Sequence, residues 1–235
     1  MIKEAIQYIV SLGNTRLENI NGQSYSTQQM YLAKEPTPAE LEVRSLSGLV
    51  EYLKSHFDGD EKVMVQVINP VKVQAFSSFN NDFNRKEFIN AVAMLPQFTF
   101  DRFHDTEDFN IKLQSAFVQN NDRDIMLKVV GNIKEEAVNT IGDDGVSQSV
   151  VAKTGVATVS QVKVPNPVQL APYRTFVEVE QPTSNFIFRM KNGPQAALYE
   201  ADGGAWKLEA MKNIQTYLAD QLKEEIEAGR IVVIA

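Results

Sequence analysis

Val63-Met-Val-Gln-Val-Ile-Asn-Pro-Val-Lys-Val-Gln-Ala-Phe76 is the stretch that decides the fold. Apolar and polar residues alternate at period two on either side of Asn69-Pro70, and Asn-Pro is a turn signal. The spacing predicts a β-hairpin, Val63–Ile68 against Val71–Phe76, with one face in a core. Upstream, a short strand over Glu40–Arg44 leads to Ser45, a helix N-cap. Leu46, Leu49, Val50, Leu53 and Phe57 then recur at helical spacing, and Asp58-Gly59-Asp60 ends the helix. A strand, a helix and a hairpin in that order are not a repeated βαβ unit, so the sheet is expected to be mixed rather than doubly wound.

Further toward the N-terminus, Ile2, Ile6, Ile9 and Val10 mark one face of an amphipathic helix over residues 2–12. Acidic Glu4 and the short apolar run set it apart from a signal peptide. Asn21-Gly22 predicts a type I′ hairpin within Arg16–Leu32. Lys34-Glu-Pro-Thr-Pro38 is stiff, because proline fixes φ and removes a donor. The chain is therefore read as residues 1–35, an N-terminal helix and hairpin, and residues 36–235, the main α+β domain.

Downstream, Lys86–Met94 reads as a helix stopped by Pro96, Glu107–Gln119 as a helix capped by Thr106, and Asp122–Val130 as a third. From Glu135 to Leu198 the pattern turns to strands. Asp143-Asp-Gly145 joins Ala137–Ile141 to Val146–Ala152, and Val156–Val164, Tyr173–Val179, Asn185–Lys191 and Ala196–Tyr199 follow, the last after an Asn192-Gly193 turn. Gly203-Gly204 opens a long helix whose apolar face is Leu208, Met211, Ile214, Leu218, Leu222 and Ile226. Gly229 ends it, and Ile231–Ile234 is a terminal strand that must pair with its own sheet or a neighbouring subunit. The fold class is α+β: a mixed, mostly antiparallel sheet, a β-rich C-terminal half, then a long amphipathic helix and a short strand.

Composition narrows function mainly by exclusion. There is no cysteine in this chain, so disulfides, thiolate metal sites and cysteine nucleophiles are excluded. The net charge of −7 opposes non-specific attraction to phosphate backbones. No apolar run approaches the ~20 residues of a membrane helix, so no membrane partner and a cytoplasmic location are expected. Gly145-Val-Ser-Gln lacks the second glycine of a serine elbow, and neither a phosphate loop nor a dinucleotide fingerprint is present. No catalytic residue and no cofactor are expected, and the chain is read as a non-enzyme.

Three places carry candidate chemistry. Pro172-Tyr-Arg-Thr-Phe176 and Phe186-Ile-Phe-Arg189 interleave aromatics with cations, so Tyr173, Arg174 and Arg189 could stack bases and hold phosphates; ordinary strands alternate in the same way. Gly203 and Gly204 precede a helix N-terminus whose free N–H groups could take an anion, with Trp206 beside them, or simply let Trp206 dock on the core. Asp101, His104 and Asp105 could ligate a divalent metal; the plainer reading is an acidic helix start.

The ordered motifs Asp143-Asp-Gly-Val-Ser-Gln148, Ala171-Pro-Tyr-Arg-Thr-Phe176, Glu178-Val-Glu-Gln-Pro182, Phe186-Ile-Phe-Arg189 and Glu200-Ala-Asp-Gly-Gly-Ala-Trp206 resemble an uncharacterised family of phage and prophage proteins of Gram-positive bacteria. Leu46–Leu53 with Val63–Phe76 is similar, more distantly, to the opening of the YfdQ-type prophage domain of unknown function. The resemblance implies a viral origin and no catalytic residues. The leading expectation is a phage accessory protein forming a homo-oligomer in the cytoplasm of the infected host. The alternatives are an anti-defence protein that sequesters a nucleotide signal and a single-strand nucleic-acid-binding protein of phage recombination or replication.

Overall fold

The computed structural model describes residues 2–14, 16–21, 23–26, 38–80, 83–131, 141–143, 148–150, 164–191 and 195–235. The chain divides into two units, Met1–Pro38 and Ala39–Ala235. In the first, helix α1 (Ile2–Leu12) precedes an antiparallel hairpin of β1 (Leu17–Ile20) and β2 (Gln23–Ser26). Ile20 pairs with Gln23 across the turn, and Asn21 adopts φ +54°, the left-handed geometry a type I′ turn demands. No residue of α1 is buried within the described structure.

The second unit runs β3 (Leu41–Val43), α2 (Leu46–Ser55), β4 (Val63–Asn69), β5 (Lys72–Ser77), β6 (Glu87–Val92), β7 (His104–Asp105), α3 (Thr106–Ser115), α4 (Asn121–Gly131), β8 (Ile141–Asp143), β9 (Gln148–Val150), β10 (Val168–Leu170), β11 (Ser184–Lys191), β12 (Gln195–Glu200), α5 (Trp206–Gln221), α6 (Lys223–Glu227) and β13 (Ile231–Ile234). A five-stranded sheet has the order β13-β4-β5-β6-β3. Its outermost pairs are parallel and its inner pairs antiparallel. A four-stranded antiparallel sheet has the order β10-β11-β12-β7, and β8 and β9 form a separate hairpin. The protein is α+β with mostly antiparallel pairing and a C-terminal helix followed by a short strand, as the patterning indicates.

Each larger sheet closes its own core. Val63, Val65 and Val67 of β4 alternate inward and meet Val73, Ala75, Ile89 and Ala91; Leu46, Leu49 and Leu53 of α2 and Ile214, Leu218 and Leu222 cover them. Each such aliphatic side chain contributes about 1.5–3 kcal/mol on burial. Ser45 caps α2 by accepting from the Gly48 N–H at 3.1 Å. In the second core Phe186, Phe188 and Met190 of β11 pack on Phe109 and Leu113 of α3 and on Met126 and Val129 of α4.

An irregular strap, residues 171–183, joins the two cores. Val118 N–H donates to the Ala171 carbonyl and Tyr173 N–H to that of Ala116, both at 2.9 Å. On the other side Phe176 buries in the first core, the Thr175 hydroxyl donates to the Pro70 carbonyl, and Leu46 N–H donates to Glu178 at 2.8 Å. Gln181 holds the strap's shape. Its Oε1 accepts from the N–H groups of Arg174 and Thr175, and its Nε2 donates to the carbonyls of Phe176 and Val179.

Several expectations are corrected. Lys86–Met94 is strand β6 rather than a helix: Ile89 and Ala91 share one inward face between β5 and β3, so period two prevails. Tyr173–Val179 is the strap rather than a strand, because the Gln181 side chain takes backbone partners that a ladder would take. The strand Val168–Leu170 was not anticipated. Asp105, not Thr106, caps α3, accepting from the Asp108 N–H at 2.8 Å. Phe57 is 81 % exposed, since His56 turns left-handed at φ +53° and ends the helix before it. Leu208 is 75 % exposed; the buried stripe of the last helices is Ala210, Ile214, Leu218 and Leu222. The Lys34–Pro38 loop before Pro38, the Asn192-Gly193 turn, most of Val156–Val164, and both the turn at 144–147 and the outer flanks of the Ala137–Ala152 hairpin lie outside the described residues. Among the described residues, no helix is long and apolar enough to cross a membrane.

Candidate functional site

Arg174 is the most unusual side chain in the described structure, a nearly buried cation. The strap carries it under the start of α5, between the edge of β12 and the aromatic core. Its Nη1 donates to Glu200 Oε1 at 2.6 Å, and its Nη2 donates to the Ser184 hydroxyl. Ser184 in turn donates to Asp202 Oδ2 at 2.6 Å. The guanidinium carbon lies 4.0 Å from the centre of the Trp206 ring and 5.6 Å from that of Phe186. Such cation–π contacts contribute about 0.5–2 kcal/mol, more when shielded from water.

The local sequence explains the arrangement. Asp202-Gly-Gly204 makes a tight turn with Gly203 and Gly204 at φ +64° and +79°, a backbone that L side chains rarely adopt. Gly204 N–H donates to Asp202 Oδ1 at 3.0 Å. Burial raises the Asp202 pKa, but the Ser184 hydroxyl, the Gly204 N–H, the charge of Arg174 and the backbone N–H of Trp206 outweigh it and hold the carboxyl below its ordinary value. The anion at this helix entrance is therefore the protein's own carboxylate. Burial pulls the Arg174 pKa down while Glu200 and Asp202 oppose the shift, and arginine remains cationic at any ordinary pH.

Beside this cluster lies a cleft of about 300 Å³. Leu95, Pro96, Phe98, Phe100, Pro172 and Tyr173 form its walls; Arg174, Glu200 and Trp206 form its polar end. Phe100 stacks on Phe186 at 5.2 Å and meets Phe98 edge-on at 4.9 Å, so the aromatic walls are packed on one another and on the core. Arg174 Nε and Trp206 Nε1 are buried, with no acceptor among the described residues. Unsatisfied buried donors are uncommon, and two in one cluster set this place apart from the ordinary core. A concave, aromatic, preformed cleft with a few convergent polar groups is the usual form of a small-molecule site.

The residues named from sequence separate into groups. Tyr173, Arg174, Gly204 and Trp206 come together here, with Gly203 in the supporting turn. Arg189 does not join them. It stands on the face of β11 opposite Phe186, Phe188 and Met190, across from Ala197. Asp101, His104 and Asp105 are corrected as a metal set: among the described residues no three His, Asp or Glu side chains stand together as ligands. His104 Nε2 pairs with the Thr99 carbonyl at 2.8 Å, and its ring stacks on Phe98. Asp105 is spent on the α3 cap, and Asp101 sits in a left-handed turn with its N–H donating to the Leu198 carbonyl.

Ser184, Glu200 and Asp202 were not anticipated as site residues. Asp202 carries a legible signal, an Asp directly before Gly-Gly at a helix start, which is an Asx-turn pattern. Nothing in the sequence pairs Glu200 with Arg174 across 26 residues. Compared with protein-family models, with curated proteins and with solved structures, the chain matches none.

Proposed function

We propose that this chain is a non-enzymatic phage or prophage accessory protein of the infected cytoplasm. In this reading it binds a small, flat ligand in the Arg174–Glu200 cleft and works as a homo-oligomer. The carrying observation is the cleft itself, about 300 Å³ of apolar and aromatic wall closing on one ion pair. The viral origin rests on the resemblance of the ordered motifs from Asp143 to Trp206.

Charge defines the ligand class. One guanidinium faces two carboxylates, Glu200 and Asp202, so the charge of Arg174 is already answered by the protein's own anions rather than left for a phosphate. Glu200 is about one-third exposed, and among the described residues only its Oε1 is engaged, so Oε2 can accept from a ligand donor. A neutral or cationic ring bearing an amine or N–H, such as a nucleobase, suits both the walls and the acceptor. The nucleotide-sequestration reading is thereby narrowed to recognition of the base. The single-strand nucleic-acid reading is not favoured, because Arg174 is buried and Arg189 lies on another face.

Trp206 is the only tryptophan in the chain, so its emission reports this cleft alone. Titration with nucleobases, nucleosides and aromatic amines should give a saturable change, weaker for the corresponding monophosphates and weaker again in Glu200→Gln. No saturable change with any of these classes would overturn the ligand assignment.

A further inference from the structure

The five-stranded sheet has two unlike edges. The β3 edge is short and charged: Glu40, Glu42 and Arg44 surround it, and Arg44 pairs with Glu42. Charges of this kind stop edge-to-edge pairing. The β13 edge has none of these devices. Ile231-Val-Val-Ile234 contains no charge and no proline, its ladder to β4 is unbroken, and Val232 and Ile234 are 49 % and 38 % exposed. Among the described residues nothing pairs with its outer side.

The hydrogen bonds tell which groups face outward. Val63 N–H donates to the Arg230 carbonyl at 2.9 Å, so Arg230 turns its main chain toward β4. Alternation then turns Val232 and Ile234 the same way and leaves the N–H and C=O of Ile231 and Val233 pointing out. The side chains of Ile231 and Val233 lie on the helix side of the sheet, those of Val232 and Ile234 on the open side.

We propose that two copies of the chain join along β13, antiparallel about a two-fold axis normal to the sheet, with Val233 opposite Val233. This rests on the homo-oligomer part of the reading above and assigns its surface. In such a pairing opposite residues must share a face, so the axis passes midway between one residue and its own copy. Centring on Val232 would set Ile234 against Arg230, whose guanidinium is held by Glu225. Centring on Val233 makes it a mutually hydrogen-bonded pair and sets Val232 against Ile234 of the second copy, at the close spacing of a non-bonded pair.

Grooves flank the edge on both faces. A groove of about 550 Å³ between α5 and β13, floored by Thr216, Ala219, Ile226 and Val233, lies beside the axis and would take the second copy's half-buried Val233. A smaller apolar pocket of about 260 Å³, formed by Met64, Phe79 and Val232, would take its Ile234. The outward N–H and C=O of Val233 thus meet the same groups of the second copy, and Val232 meets Ile234 in both directions. That is the self-complementarity of a closed two-fold contact, and it selects a second copy over an unrelated peptide.

The test is the mass of the full chain in solution, by sedimentation or light scattering, with two variants. Val233→Pro removes an N–H that points outward and leaves the ladder to β4 intact. Ile234→Lys places a charge on the open face and serves if the proline variant does not fold. The unaltered chain should be a dimer, and the folded variants should have half its mass. A monomeric unaltered chain would overturn both the homo-oligomer reading and this edge. A dimer that survives both substitutions would overturn the edge alone. Register is tested separately, since the chain has no cysteine. Val233→Cys should form a disulfide dimer much faster than Val232→Cys, and equal rates would overturn the Val233 centre.

Discussion

Arg174 and Trp206 are stacked, guanidinium carbon to ring centre, at 4.0 Å, and the stack joins the strap between the two cores to the first turn of α5. Its partners are held from opposite directions. Gln181 fixes the backbone of Arg174, and the Asp202 turn fixes the start of the helix that carries Trp206. The cleft is therefore built by contacts that are buried on the strap side and part-buried at the Asp202 turn, the support a preorganised site requires.

Removing the cation should be costly. Arg174→Met leaves Glu200 and the Ser184–Asp202 pair without their partner, and loss of one member of a buried ion pair costs about 3–5 kcal/mol. Because Glu200 is partly exposed, the expected loss is nearer the lower figure. Arg174→Met combined with Glu200→Gln should recover part of it. Urea denaturation of the two single variants and the double variant measures that coupling.

Gln181→Ala should destabilise the protein although no apolar contact is lost. The strap's N–H groups at Arg174 and Thr175 and its carbonyl at Phe176 lose their buried partner. At roughly 1–3 kcal/mol for each unsatisfied group, with some relaxation, a loss of about 3 kcal/mol is expected. Thermal unfolding checks it, and Trp206 emission should shift in the native state as Arg174 moves.

Acid should weaken the link between α6 and α2. Arg230 Nε donates to Glu225 Oε2 at 2.7 Å and its Nη2 donates to the Leu53 carbonyl, while His56 approaches Glu225 Oε1. The hydrogen bond from Arg230, against a smaller opposing effect of burial, holds the Glu225 carboxyl below its ordinary value of 4.5. A depressed folded pKa means the stabilisation is complete above the unfolded value and is lost as pH falls from there toward the folded one. Asp202 acts in the same sense from its ordinary value of 3.8. Glu225→Gln should therefore flatten stability against pH below about 5, measured by denaturation at a series of pH values.

The last helix offers a contrast between two leucines. Leu208 is exposed, so Leu208→Lys should change stability by no more than about 0.5 kcal/mol. Leu218 is fully buried between α5 and the five-stranded sheet, so Leu218→Ala should cost about 2–5 kcal/mol. Denaturation midpoints of the two variants decide the matter.

Legibility followed the range of the physics. The β4–β5 hairpin was readable because alternation and its turn lie within fourteen residues, and α2 because Ser45 and a leucine stripe are adjacent in sequence. Period was a weaker guide where apolar residues ran together. Phe88, Ile89, Ala91 and Val92 fit a helix as well as a strand, and only the neighbours β5 and β3 made them a strand. The cleft shows the same division. Arg174 and Trp206 stood out as an aromatic-flanked cation and a lone tryptophan beside Gly-Gly, but nothing local paired Arg174 with Glu200.

By itself, then, the sequence determined an α+β chain with a long final helix, an apolar terminal strand and no cysteine chemistry. Those properties follow from composition and from periods shorter than a turn or two of chain. Tertiary structure alone decided that the terminal strand pairs in parallel with β4 and, among the described residues, leaves its far side open, that Arg174 is buried and paired with Glu200, and that His104 stacks on Phe98 and meets the Thr99 carbonyl. The first two are choices of partner across many residues. Such choices are made when two cores close around one strap, because only then do distant polar groups lose water and have to find each other.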